Sequence, residues 1–79
     1  MSVASRLSTV FVDALELSDD VDVEQLKYRG IDKWDSLGHM TLVAAIEDEF
    51  GVQLDTEQVI DMSSFQVALE MLEGMGVHD

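Results

Sequence analysis

Apolar residues recur at helical spacing in three places along this chain, and no stretch sustains the strict alternation of a half-buried strand. Val3, Leu7, Val10, Phe11, Ala14 and Leu17 fall on one face of a first helix, and that spacing stops at Ser18. A second helix is expected to begin at Asp35 or Ser36 and to end at Phe50, with Gly51 as its C-terminal stop. Asp55-Thr56-Glu57-Gln58 reads as a variant capping box that opens a short third helix. Ser63-Ser64-Phe65-Gln66 repeats the signal for a fourth, whose apolar stripe is Phe65, Ala68, Leu69 and Leu72 and whose end is marked by Gly74 and Gly76. Proline is absent. The pattern predicts an all-α fold, a small four-helix bundle with a short third helix.

At 79 residues the chain reads as a single domain, 1–79. A domain of that size buries roughly 60–65% of the surface its unfolded chain exposes, so its core is thin. There is no cysteine to form a disulfide or a thiolate metal site, and two isolated histidines, His39 and His78, do not make a zinc site. Helix packing alone must hold the fold.

Seventeen acidic residues face four basic ones, a formal net charge of −13. Such a chain is repelled by nucleic acid and by anionic membrane surfaces, which need clustered Lys and Arg. Basic protein surfaces attract it, and long-range steering speeds that encounter. With 47% hydrophobic residues the sequence is a folded acidic domain rather than a disordered one. No stretch is long and apolar enough to span a membrane, and the N-terminus lacks a secretory signal pattern, so a cytoplasmic location is expected.

Between the first two helices runs a long loop, from Ser18 to about Asp35. Val21, Val23, Leu26, Tyr28, Ile31 and Trp34 are spaced along it as pins that hold the crossing onto the helices, with a short helical turn expected around Val23 to Leu26. Its alternating acids, Asp20, Asp22 and Glu24, fail as a calcium loop. The sixth position is Gln25 rather than Gly, and the twelfth is Ile31 rather than Glu.

At ~100° per residue the second helix gathers Leu42, Val43, Ile46 and Phe50 on one side, which must be core. Leu37, Met40 and Ala44 lie on another side, with Glu47 and Asp48 close by. This second strip either packs on another helix of the bundle or forms a docking ridge, since a small apolar patch rimmed by charge suits transient partners. Ser36, beside Asp35 at the helix start, reads in isolation as a cap for free backbone N–H groups.

Asp35-Ser36-Leu37 matches the Asp-Ser-Leu signature of acyl carrier proteins, at the expected helix start. Leu42-Val43-Ala44-Ala45-Ile46-Glu47-Asp48-Glu49-Phe50-Gly51-Val52 resembles that family's second helix, which ends in an acidic cluster, Phe and Gly. The order of helices and the long loop follow the same pattern over essentially the whole chain. The resemblance implies that Ser36 is the attachment point for 4′-phosphopantetheine taken from coenzyme A by a phosphopantetheinyl transferase. The thiol of that arm would hold acyl or hydroxy-acid cargo as thioesters. It further implies partners with basic docking patches: an acyl-loading ligase or transferase, and synthase enzymes. By position, Asp35, Leu37, Met40, Glu47 and Asp48 would form the docking surface, extended by Asp61 and Met62. A monomer without catalysis of its own is expected, with no metal and no membrane or nucleic-acid partner.

The match departs from many fatty-acid carriers, which place an acid directly after Asp-Ser-Leu and another three residues on. Gly38 and Thr41 stand there instead. Gly38 is expected to weaken the helix by ~1 kcal/mol relative to Ala. Peptidyl carriers typically have Gly-Gly before the modified serine, where this chain has Lys33-Trp34. Trp34-Asp35-Ser36-Leu37-Gly38-His39 looks like a discrete carrier of a specialised pathway, such as polyketide assembly or small hydroxy-acid loading.

Two rival readings remain. Ser36 and His39 lie three residues apart, but His39 projects ~60° from Ser36 into the core stripe, where packing is its expected role rather than general-base catalysis. An acidic helical adaptor without a prosthetic group would use Ser36 only as a cap, so that Ser36→Ala costs about 1 kcal/mol of stability and little else.

Overall fold

The computed structural model describes residues 2–77; His78 lies outside them. Four helices are present: α1, Val3–Leu15; α2, Ser36–Phe50; α3, Thr56–Asp61; and α4, Phe65–Gly74. A single 3₁₀ turn, Val23–Gln25, interrupts the long loop where a helical turn is expected. The all-α four-helix bundle is therefore observed, without a strand among the described residues.

Local chemistry sets each boundary. Ser2 caps α1 by accepting the Ser5 N–H. The helix ends two residues short of the expected Leu17, because Glu16 turns into the left-handed region at φ 53° and Leu17 N–H folds back on the Val12 carbonyl. Gly51 ends α2 at φ 65°, a conformation that costs glycine little. Around α3 both halves of the capping box form: Gln58 N–H donates to Asp55 Oδ1 at 2.8 Å and Asp55 N–H to Gln58 Oε1 at 3.0 Å. Ser64 caps α4 through the Val67 N–H.

The core is a layer of buried residues from α1, α2 and α4. Leu7 and Phe11 of α1 meet Leu42 and Ile46 of α2 and Phe65 and Leu72 of α4. Phe50 is only half-buried, under the Arg6 guanidinium that also pairs with Glu49. That partly exposed clasp contributes at most about 1 kcal/mol. None of the helical residues of α3 is buried; its C-terminal cap, Met62, anchors it in the core.

Trp34 decides how the long loop lies. It is 0% exposed, with its ring edge-on to Phe11 at 5.2 Å. Its indole N–H donates to His39 Nδ1 at 2.9 Å, so the buried donor is satisfied by α2 itself. Farther back, Tyr28 N–H donates to the Ser63 carbonyl and Phe65 N–H to the Leu26 carbonyl, which ties the loop to the α3–α4 junction. Val23 and Leu26 are buried, and Val21, Tyr28 and Ile31 are half-buried against the same core.

Gly38 has a structural reason that outweighs helix propensity. A Cβ added there would lie 2.1 Å from the Lys33 carbonyl oxygen and 3.2 Å from Leu15 Cδ2. The loop carrying Lys33 and Trp34 therefore packs directly on the α2 backbone at Gly38. Propensity alone predicts that Gly38→Ala stabilises by ~1 kcal/mol. The close approach predicts the opposite sign, a loss of about 1–3 kcal/mol in urea unfolding, because the loop must move away.

Candidate functional site

The serine at the start of α2 is not the cap that its position suggests. Asp35 is the N-cap: its Oδ1 accepts the Gly38 N–H at 2.8 Å. Ser36 is the first helical residue, exposed, and its hydroxyl is left for other partners. Reading Ser36 as a cap is thereby corrected.

Two loop side chains converge on that hydroxyl. Tyr28 Oη lies 3.1 Å from Ser36 Oγ, and Arg29 Nη2 lies 3.4 Å from it. Sequence reasoning placed Tyr28 among the pins and passed over Arg29. They stand eight and seven positions before Ser36 in the loop, so no helical or strand spacing signals the approach. Arg29 takes up the left-handed backbone region, φ 65°, where its N–H donates to the Trp34 carbonyl at 3.0 Å. For a long side chain this conformation costs of order 1 kcal/mol or more, and it closes the loop back on itself immediately before Ser36. The Arg29 guanidinium also lies over the Tyr28 ring, 5.4 Å from its centroid. The hydrogen bond with Ser36, and then that with Arg29, holds the Tyr28 phenol below the ordinary tyrosine value.

His39 is a strut rather than a base. Because Nδ1 accepts from Trp34, the proton sits on Nε2, which donates to the Val59 carbonyl of α3 at 2.7 Å. Both ring nitrogens are engaged away from Ser36. A Ser–His hydrolytic arrangement is not built here.

Beside Ser36 runs a groove of about 350 Å³ between α2 and α3. Its lining is mainly apolar: Tyr28, Met40, Val59, Ile60 and Met62, with Ser36 at its mouth. The second strip of α2 faces solvent rather than another helix, with Leu37 77% and Met40 57% exposed. Asp35, Asp48 and Asp61 are exposed as well. Met62 must be removed from the expected surface, because it is 1% exposed and serves as the core anchor of α3. Ile60, 73% exposed, stands on that side instead. The periodicity of a six-residue helix is too short to tell these two apart. Glu47 is half-buried, and its Oε2 accepts the Leu54 N–H at 2.8 Å, so it also fastens the α2–α3 connection.

These residues suit a phosphopantetheine arm. An exposed hydroxyl sits at the N-terminal end of a 15-residue helix, beside a cation and a phenol, and it opens onto an apolar groove. Tyr28 is the only tyrosine, so its titration is readable by ultraviolet absorbance. The phenol is expected to titrate below the ordinary value of about 10, and Ser36→Ala or Arg29→Gln to raise it. Because the native value is the lowered one, ionised Tyr28 favours the fold. That contribution is full above the ordinary range and disappears as pH falls through the native value.

No curated protein matches the chain. Residues 33–72, just over half of it, match the family described as phosphopantetheine attachment site. That segment begins beside Trp34, contains Ser36 and the whole of α2 and α3, and ends on the buried Leu72 of α4. The chain belongs to the phosphopantetheine attachment site family, the acyl carrier protein domains.

Proposed function

We propose that this chain is a carrier whose Ser36 bears 4′-phosphopantetheine and which delivers thioester cargo to partner enzymes. The observation that carries the reading is the exposed Ser36 hydroxyl, released from capping by Asp35, inside a segment that matches the attachment-site family. Ser36 Oγ forms its bond to the pantetheine-side phosphorus of coenzyme A as the bond to the departing adenosine bisphosphate breaks. The serine proton passes to a base of the phosphopantetheinyl transferase. Bound there, the group supplies a thiol, the nucleophile that this cysteine-free chain lacks.

The chain's own contribution is placement. The positive end of the α2 dipole favours an anion at its first turn by about 0.3–1 kcal/mol. The Tyr28–Met62 groove gives an apolar path beside α2, bounded by the His39 strut. Leu37, Met40 and Ile60, with Asp35, Asp48 and Asp61 around them, form the surface offered to basic patches on the transferase, on an acyl-loading ligase or transferase, and on synthase enzymes. Glu47 contributes charge from a fixed position. The Trp34–His39 segment supports a specialised pathway, polyketide assembly or small hydroxy-acid loading, over housekeeping fatty-acid synthesis.

Intact mass after incubation with coenzyme A and a broad-specificity transferase is expected to rise by one phosphopantetheinyl group, and Ser36→Ala is expected to abolish the gain. The same variant should unfold within about 0.5 kcal/mol of the parent, since the cap is untouched. Asp35→Ala should cost about 0.5–2 kcal/mol. A folded parent that gains no mass with a transferase active on another carrier would favour the unmodified adaptor.

The docking surface is checked separately by loading kinetics with a cognate ligase. Leu37→Ala or Met40→Ala should raise KM with kcat little changed, and the fold should be unaffected because both side chains are mostly in solvent.

A further inference from the structure

Resting on the attachment of phosphopantetheine at Ser36, we infer that Arg29 and Tyr28 form a seat for the phosphodiester, fixing the root of the arm on the α3 side of α2. Both donors already lie within 3.4 Å of the oxygen to which the phosphorus would be bonded. Once Ser36 Oγ is esterified it has no proton and only accepts, so Tyr28 must act as the donor of that pair. The charge changes as well, since a phosphodiester adds an anion to a chain of formal charge −13.

Of the four cations, Arg6 is committed to Glu49 and Phe50 on the far end of α2. Arg29 has no carboxylate within ion-pair distance among the described residues, and it is the cation that reaches Ser36. A guanidinium is the side chain best matched to phosphoryl oxygens, because its planar fork makes charge-assisted bonds to two of them. It is also held in advance, by its left-handed backbone, by the Trp34 carbonyl and by the Tyr28 ring. The backbone is fixed by the first two and the guanidinium is placed by the third, which lessens the freedom lost on pairing.

The seat has a direction. Ser36 stands between two depressions, the apolar groove lined by Tyr28 and a more polar one past Leu37 and Gly38 whose charged lining is Glu16, Asp32 and Asp35 with one cation, Lys33. Tyr28 belongs to the first. The second presents three carboxylates against the single Lys33 ammonium, a net negative lining that repels a phosphodiester. A phosphate held by Arg29 and Tyr28 thus starts the arm toward Met40 and Ile60.

The test uses the full chain, loaded from coenzyme A and checked by intact mass, with side-chain ¹⁵N NMR before and after loading and ³¹P NMR of the loaded form. The Arg29 Nε–H signal is expected to shift and to exchange more slowly with solvent in the loaded form. Arg29→Gln should move and narrow the ³¹P resonance as the root of the arm is released. Tyr28→Phe, which keeps the ring contacts, should move it less, and Arg29→Lys should restore part of the effect. Lys33→Gln removes the same charge from the same loop and should leave the resonance in place. An equal response to Lys33→Gln would overturn the seat in favour of a general field effect. An Arg29 signal unmoved by loading together with a ³¹P resonance unmoved by Arg29→Gln would overturn the seat and leave attachment standing. Failure of the parent to gain mass would remove attachment, and the seat with it.

Discussion

The hydrogen bond from the Trp34 indole to His39 Nδ1 organises the functional end of this molecule. A Trp ring of this size stabilises the core strongly once buried, but its N–H must find an acceptor there or cost about 1–3 kcal/mol. His39, on the first turns of α2, supplies that acceptor and passes the constraint on to α3 through the Val59 carbonyl. One imidazole thus fixes three things relative to one another: the loop that ends at Ser36, the helix that begins there, and the short helix across the groove.

That anchor constrains its surroundings sterically. With Trp34 seated, Lys33 is brought against the α2 backbone, and only a residue without a side chain fits at Gly38. On the other side of Trp34, its carbonyl accepts the Arg29 N–H across a left-handed turn, and the Arg29 guanidinium reaches Ser36. A serine that looks like an ordinary helix start becomes a hydroxyl flanked by a cation and a phenol. Asp35 makes this arrangement available by taking the capping role itself.

Helix periodicity, the capping box at Asp55 and the stop at Gly51 were all legible in the sequence, because each is a local rule satisfied within a few residues. The end of α1 was less so, since Leu17 keeps the apolar spacing while a left-handed Glu16 has already broken the helix. Around the site, Ser36 was legible through its motif and His39 through its place in the core stripe. Gly38 was misread as a weakness, because the Lys33 carbonyl that requires it is brought there by tertiary packing of Trp34. Tyr28 and Arg29 were not recognised for the same reason: their approach to Ser36 depends on how a long loop closes. Met62 was expected at the surface and is buried, while the exposed Ile60 went unnoticed, because a helix of six residues turns too few times to reveal which side faces inward.

The slenderness of α3 has a mechanical consequence. Its helical residues bury nothing fully, and it is held by Met62, by the carbonyl of Val59 and by the Glu47 bond to Leu54 at its entrance. Detaching it withdraws one fully buried side chain, Met62, and breaks the His39–Val59 bond while the α1–α2–α4 core stays packed, so local opening there costs less than global unfolding. The wall of the groove is consequently compliant while the floor, built on α1, α2 and α4, is stiff. A molecule made this way can change the width of its channel over small energy differences and keep the serine, its cap and its neighbours in register throughout.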